Sequence, residues 1–156
     1  MGGLHLLQGI AMLFLATTVI QKIGEFSPQI TQNYLAFNPA TSSLELESKV
    51  LFDLPFGILV ASFLFISAVA HALISIPKKT NEKYNADLEK GINQFRWFEY
   101  AISSSIMIVL ISTLFGIYDI ASLVLIFIVN ATMNLFGLVM EQMNSGKSKN
   151  DIIWGP

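Results

Sequence analysis

The sequence contains no cysteine, and only 13% of its 156 residues are charged. The absence of cysteine excludes disulfide frameworks, iron–sulfur clusters and thiolate metal sites. Charged residues make up about 25% of an ordinary soluble domain, so roughly half of the usual charge is missing. The formal net charge is −2, from 9 basic and 11 acidic residues. This balance excludes the dense positive surface of a nucleic-acid-binding protein.

Apolar side chains are abundant instead: they make up 53% of the sequence, and the mean hydropathy is +0.60. A membrane-spanning helix needs about 20 mostly apolar residues. Four runs approach or exceed this length, and they are Leu4–Ile20, Leu51–Ile76, Trp97–Ile117 and Ile120–Met140. We therefore predict a single, all-α membrane domain with four transmembrane helices.

The positive charges predict the orientation of these helices, because Lys and Arg are retained on the cytoplasmic side of a membrane. The connection 77–96 and the tail 144–151 together carry seven of the nine basic residues, whereas the connection 21–49 carries only Lys22 and Lys49. We expect a multi-pass protein of the cell membrane with a cytoplasmic N-terminus. The first span has no charged segment before it, so we do not interpret it as a signal peptide. From its abrupt start we expect that a short leader is missing or that the start codon was placed late.

The connection 21–49 is longer than structureless loops usually are. Its segments Gln29–Phe37 and Ser43–Glu47 flank the turn-forming pair Asn38-Pro39, which is compatible with a small extracellular β-hairpin. An isolated hairpin is only marginally stable. By contrast, the link 116–119 is so short that the two spans it joins must be antiparallel neighbours.

One carboxylate, Glu99, lies in the first turn of the third predicted span. An ionisable group near the centre of a membrane helix costs about 2.5–3.5 kcal/mol unless it is paired or hydrated. Two interpretations follow. Glu99 either forms a simple helix-end pair with Arg96, three residues earlier, or belongs to a functional site together with Ser103, which shares its helix face.

Polar residues occur at a comparable depth in the first two spans. His5 and Gln8 share a face of span one, and Ser67 and His71 share a face of span two. Together with Glu99 they could surround a small hydrated cavity, although helix ends also tolerate polar residues without any site. No spacing among them supports a metal site. No HExxH or GxSxG motif is present either, so we predict no enzymatic activity.

Asn130 and Asn134 are four residues apart and therefore lie on one face of span four. Asparagine amides commonly join helices within membranes. We favour this packing role for Asn134. The run Ser103–Ser105 in span three consists of small residues, which allow a neighbouring helix to approach closely.

The stretch Arg96-Trp97-Phe98-Glu99-Tyr100, followed by Ser103-Ser104-Ser105, resembles the third helix of heliorhodopsins. Other stretches that resemble this family are Leu4-His5-Leu6-Leu7-Gln8, Ser67 with His71, Gly116-Ile117-Tyr118-Asp119-Ile120, and Asn130-Ala131-Thr132-Met133-Asn134-Leu135-Phe136-Gly137. The resemblance covers nearly the whole chain and leaves out the first long connection.

The resemblance implies a homodimeric, retinal-binding photoreceptor with seven helices, which senses light through a slow photocycle and does not pump ions. It implies that Glu99 is the counterion of the protonated retinal Schiff base and that Ser67 donates a hydrogen bond to it. It also places His5, Gln8 and His71 in a polar cavity near the Schiff base. Tyr100, Asn130 and Met133 would lie near the chromophore.

The chain departs from the family pattern in one respect. Heliorhodopsins attach retinal to a lysine of the seventh helix, but all eight lysines of this chain lie outside the predicted spans. A fifth helix would begin near residues 154–156. We therefore expect an amino-terminal part of such a receptor, which needs the remaining helices to bind retinal covalently.

A second hypothesis comes from a different functional class. The chain could be a small four-helix membrane scaffold, or a channel subunit with a proton or cation path along His5, His71 and Glu99. A pH-dependent conductance without retinal would favour this alternative.

Overall fold

A computed structural model describes residues 2–19 and 26–147 of the chain. These residues form five α-helices, a short π-helical segment and one antiparallel β-hairpin. The helices are α1 (Gly2–Phe14), α2 (Phe56–Ser75), α3 (Lys78–Glu89), α4 (Gln94–Leu114) and α5 (Ile120–Asn144), and the strands are β1 (Gln29–Asn38) and β2 (Ser43–Asp53). The prediction of a mainly helical fold with a hairpin in the first connection is confirmed.

Helices α2, α4 and α5 are long and apolar enough to cross a membrane, and the chain is a membrane protein. The first helix is apolar as well and continues from α1 into the π-helical segment Leu15–Val19. Its described apolar part, Gly2–Thr18, is shorter than these three helices. Three of the four predicted spans are therefore confirmed.

Several predicted boundaries differ from the observed ones or fall outside the described residues. The apolar run predicted as span two begins at Leu51, but Leu51–Asp53 ends β2 and the helix begins only after Pro55. Proline has no backbone N–H for a helical hydrogen bond and favours the first turn. The end of span one at Ile20, residues 21–25 and 148–151, and the fifth helix expected near 154–156 lie outside the described residues.

The connection 77–96 contains a helix that we did not predict, the 12-residue α3. It begins directly after Pro77. It ends where the backbone N–H groups of Gly91 and Ile92 donate to the carbonyl oxygens of Leu88 and Asp87, each at 2.9 Å. These bonds satisfy carbonyl groups that would otherwise be unpaired at the helix end.

The helices pack in sequence, α1 on α2, α2 on α4 and α4 on α5. Helices α4 and α5 are joined by the short link 116–119, in which Gly116 adopts a φ of +85°. The backbone N–H groups of Gly116 and Ile117 donate to the last turn of α4, at 3.1 Å each. Only glycine adopts this conformation without strain, which allows the chain to reverse and the two helices to pack side by side.

The hairpin is attached to the α4–α5 link. The backbone N–H of Thr31 donates to the Tyr118 carbonyl oxygen at 2.9 Å, and that of Asn33 donates to Asp119 Oδ1 at 3.1 Å. Ile30, which is only 1% exposed, packs into a core cluster with Leu54, Leu110 and Leu123. Two-stranded hairpins need such packing to be stable. We call this side of the bundle the hairpin end and the opposite side the α3 end.

Asp119 begins α5 and should make the attachment of the hairpin sensitive to pH. The backbone N–H groups of Ser122 and Asn33 hold the pKa of Asp119 below its usual value of 3.8. Ionised Asp119 therefore stabilises the fold above that value, and this contribution is lost as the pH falls through the lowered pKa. In thermal unfolding, the melting temperature of the wild type should fall more below pH 3.8 than that of Asp119→Asn. The asparagine keeps one acceptor oxygen but has no carboxylate to protonate. Equal losses would contradict the assignment.

Gly137 of α5 lies against the ring of Trp97 on α4, so close that an added Cβ would overlap the ring. We expect Gly137→Ala to lower the free energy of unfolding by about 1–3 kcal/mol, because the overpacked ring must move. Unfolding in detergent micelles, followed by circular dichroism, measures this change. Gly3→Ala is the control, since a Cβ at Gly3 meets no atom within 4 Å. Equal stability of the two variants would contradict the packing described here.

Candidate functional site

A cavity of about 550 Å³ opens at the α3 end of the bundle, where α1, α2 and α4 meet. His5 reaches it from α1, Ser67 and His71 from α2, and Glu99 and Tyr100 from α4. Apolar side chains such as Phe63 and Met107 complete the wall. The cavity thus combines an apolar surface with a few polar groups, as ligand sites commonly do.

Glu99 and Ser67 are joined by a hydrogen bond across the cavity wall. The Ser67 hydroxyl donates to Glu99 Oε1, and both side chains are partly buried. The bond connects α2 to α4 and fixes the direction of the carboxylate. Hydrogen bonds to an ionised acceptor are stronger than neutral ones. The predicted contact between these two residues is present.

The two histidines of the chain are neighbours in the cavity. Their ring centroids are 5.7 Å apart, and the rings are inclined by 51°. His71 Nδ1 lies 2.8 Å from the Ser67 carbonyl oxygen. Because a carbonyl oxygen only accepts, this nitrogen carries the hydrogen, which leaves Nε2 of a neutral His71 as an acceptor. His5 Nδ1 is buried and has no hydrogen-bond partner among the described residues.

Arg96 lies at the mouth of the cavity and does not pair with Glu99. Its Nη2 donates to Glu141 Oε1 on α5 at 2.5 Å. The guanidinium carbon lies 4.7 Å from the centroid of the Trp97 ring. The interpretation of Glu99 as the helix-end partner of Arg96 is therefore wrong. Helix α5 brings a better-placed carboxylate to the arginine, although the two residues are 45 positions apart in the sequence.

The charges around the cavity leave Glu99 without a cationic partner. In the part of the chain that the structure describes, the ion pairs are Lys78–Glu82 and Arg96–Glu141, and neither includes Glu99. The described lysines also lie outside the cavity wall. Its one carboxylate is therefore suited to a cationic group supplied from elsewhere. No group of three potential metal-ligating residues occurs among the described positions.

Three residues that the family resemblance assigned to the site lie outside the cavity wall. Gln8 is exposed on α1. Met133 on α5 is 63% exposed. Asn130 faces α4, where its side-chain nitrogen donates to the hydroxyl oxygens of Ser104 at 2.8 Å and Ser105 at 3.0 Å.

Asn134 is 8% exposed and belongs to the same polar contact. Its side-chain nitrogen lies 3.1 Å from the Ser104 hydroxyl oxygen and 2.9 Å from the Asn130 carbonyl oxygen. Ser104 in turn donates to the Tyr100 carbonyl oxygen at 2.5 Å. This network joins α4 to α5, as the packing role favoured for Asn134 requires.

Sequence reasoning missed the part of the wall that comes from the connection between α2 and α4. Tyr84 of α3 lies edge-on to Phe95, with ring centroids 6.1 Å apart. Its hydroxyl oxygen lies 3.4 Å from the Asn93 side-chain nitrogen. All three residues line the cavity. An aromatic residue in an otherwise polar segment is the feature of the sequence that could have pointed to this wall.

The family of the chain follows from comparison with known proteins. The family model described as Heliorhodopsin matches residues 1–155. The chain belongs to the heliorhodopsin family. No curated protein matches it. The resemblance found in the sequence is thereby confirmed over nearly the whole length, and heliorhodopsins are rhodopsin-type proteins that bind retinal.

The asparagine contact between α4 and α5 can be tested by mutation. We expect Asn134→Ala to lower the free energy of unfolding in micelles by about 0.6–2 kcal/mol, because hydrogen bonds between membrane helices contribute about this much. Thr132→Ala changes an exposed residue of the same helix and should have little effect. An Asn134→Ala protein as stable as the control would show that the contact does not hold the helices together.

Proposed function

We propose that this heliorhodopsin chain forms the amino-terminal part of a light-sensing, retinal-binding photoreceptor, with Glu99 as the counterion of the chromophore. One observation carries the proposal. Glu99 is a partly buried carboxylate that receives a hydrogen bond from Ser67 and has no cationic partner among the described residues.

The physical argument concerns charge in a medium of low dielectric constant. Retinal, bound as a protonated imine, supplies a buried cation whose geometry light can change. A buried cation loses its proton unless an anion is close, and a nearby negative charge raises its pKa. Glu99 provides this charge, and the Ser67 hydroxyl keeps it oriented. His5 and His71 place ring nitrogen atoms in the same cavity, where they can hold protons or water.

Further parts of the proposal follow from the family and from the charge distribution. The lysine that attaches retinal and the remaining helices of the seven-helix bundle would come from the same receptor, with the N-terminus cytoplasmic and two copies forming a dimer. We propose signalling rather than ion pumping or enzymatic turnover, because the family resemblance implies it and Glu99 is the one carboxylate on the described cavity wall. Among the residues that the resemblance places near the chromophore, Tyr100 lines the cavity and is the nearest to Glu99 along the sequence.

Replacement of Glu99 tests the proposal. The chain, expressed together with the coding sequence that follows it and supplied with all-trans-retinal, should give a visible pigment. We expect Glu99→Gln to weaken proton binding by the imine about 10- to 1000-fold, since removal of an adjacent opposite charge has an effect of this size. Titration of the pigment by visible absorption measures the change. Ser67→Ala should have a smaller effect in the same direction.

Glu82→Gln is the matched control, because Glu82 is an exposed glutamate of α3, and it should titrate like the wild type. Identical titrations of the wild type and Glu99→Gln would remove the counterion role. A pH-dependent conductance of the chain in liposomes without retinal, abolished by His71→Ala, would favour the channel-subunit alternative.

A further inference from the structure

Arg96 contacts the carboxylate of Glu141 and does not contact that of Glu99, its neighbour along α4. Glu141 of α5 accepts from its guanidinium at 2.5 Å. Glu99 follows Arg96 by three residues on α4, a spacing that makes two helical side chains neighbours. Arg96 and Glu99 also line the same cavity. The guanidinium therefore pairs with Glu141, which the packing of α5 places beside it, and not with Glu99, which is closer in the sequence.

Several contacts hold Glu141 in place. Its Oε2 accepts a hydrogen bond from the backbone N–H of Asn93 at 2.8 Å. Asn93 caps the start of α4 through a bond from the Arg96 backbone N–H to its Oδ1, at 3.1 Å. A carboxylate at a helix N-terminus is further stabilised by the helix dipole. The Glu141 side chain is only 15% exposed, so this end of α5 is fixed to the start of α4.

Without Glu141, the Arg96 guanidinium would lose its carboxylate partner and would turn towards the cavity. Its side chain is 42% exposed and is long enough to change direction. Glu99 is a partly buried carboxylate held by one serine hydroxyl. A hydrogen bond between two ionised groups is stronger than one between an ion and a neutral hydroxyl. Glu99 is then the carboxylate of α4 that can replace Glu141 as the partner of Arg96.

We propose that Glu141 is a positioning residue that holds Arg96 away from Glu99 and so keeps Glu99 available for a cationic ligand. This inference rests on the proposed function, in which that ligand is the chromophore. A displacement of α5 from α4 at the α3 end would separate Glu141 from Arg96 and bring the guanidinium onto Glu99. The helix contact thereby controls whether Glu99 is paired with Arg96.

The inference can be tested on the chain itself, without retinal. Arg96 is the only arginine of the sequence, so ¹⁵N-arginine labels a single guanidinium. With ¹³C at the glutamate side-chain carboxyl carbons, solid-state NMR dipolar recoupling in lipid bilayers detects a carboxylate within about 4 Å, the range of an ion pair. The wild type, Glu99→Gln and the exposed control Glu82→Gln should all show this contact.

The decisive comparison uses variants of Glu141. Glu141→Gln should retain the contact, now with Glu99, and the double variant Glu141→Gln with Glu99→Gln should lose it. Loss of the contact in Glu141→Gln alone, or in Glu99→Gln alone, would overturn the inference. Persistence in the double variant would overturn it too, because the arginine would then contact a third glutamate. Glu141→Leu repeats the comparison if the glutamine variant does not fold.

The pigment titration described above keeps the two proposals apart. If Glu99→Gln changes the titration but the NMR contact does not move to Glu99 in Glu141→Gln, the counterion role stands and the positioning role fails. If the contact moves but the titration is unaffected by Glu99→Gln, the positioning role of Glu141 stands and the proposed function fails.

Discussion

The arrangement of the α3 end depends on the energetic cost of a carboxylate inside an apolar bundle. Glu99 lies in a wall that is largely apolar, and such a group must be solvated by polar neighbours or by an opposite charge. The Ser67 hydroxyl meets part of this need. Arg96 could compensate the negative charge of Glu99, but it is paired with Glu141. The carboxylate therefore remains incompletely compensated by the described residues, and this condition makes the cavity suitable for a cation.

Two acidic residues attach α5 to its neighbours at opposite ends. At the hairpin end, Asp119 accepts from the backbone of α5 itself, through Ser122, and from the backbone of β1, through Asn33. At the α3 end, Glu141 accepts from the backbone N–H of Asn93 at the start of α4. Between them, the asparagine–serine network and the Trp97–Gly137 contact join α4 to α5. Helix α5 is thus anchored along its whole length.

Much of this fold could be predicted from the sequence, because apolar run length identifies α2, α4 and α5, and the pair Asn38-Pro39 marks the hairpin turn. The contact between Ser67 and Glu99 followed from the family resemblance. Helix α3 was missed because its sequence is mostly polar and only 12 residues long. The Arg96–Glu141 pair was missed because local spacing favoured Glu99, and only the packing of α5 on α4 reveals the competing carboxylate. Gln8 was placed by its spacing from His5 and by the resemblance, and Met133 by the resemblance alone. Their positions depend on how far each helix is rotated.

The short link that contains Gly116 has a consequence for how the protein reaches its membrane. Bringing two segments together costs less entropy when the loop between them is short. Helices α4 and α5 can therefore pair early and enter the bilayer as one helical hairpin. The amide of Asn134 and the hydroxyl of Ser104 would satisfy each other during entry, so neither exposes an unpaired polar group to the lipid tails. The rest of the bundle then meets a preassembled surface rather than two independent segments.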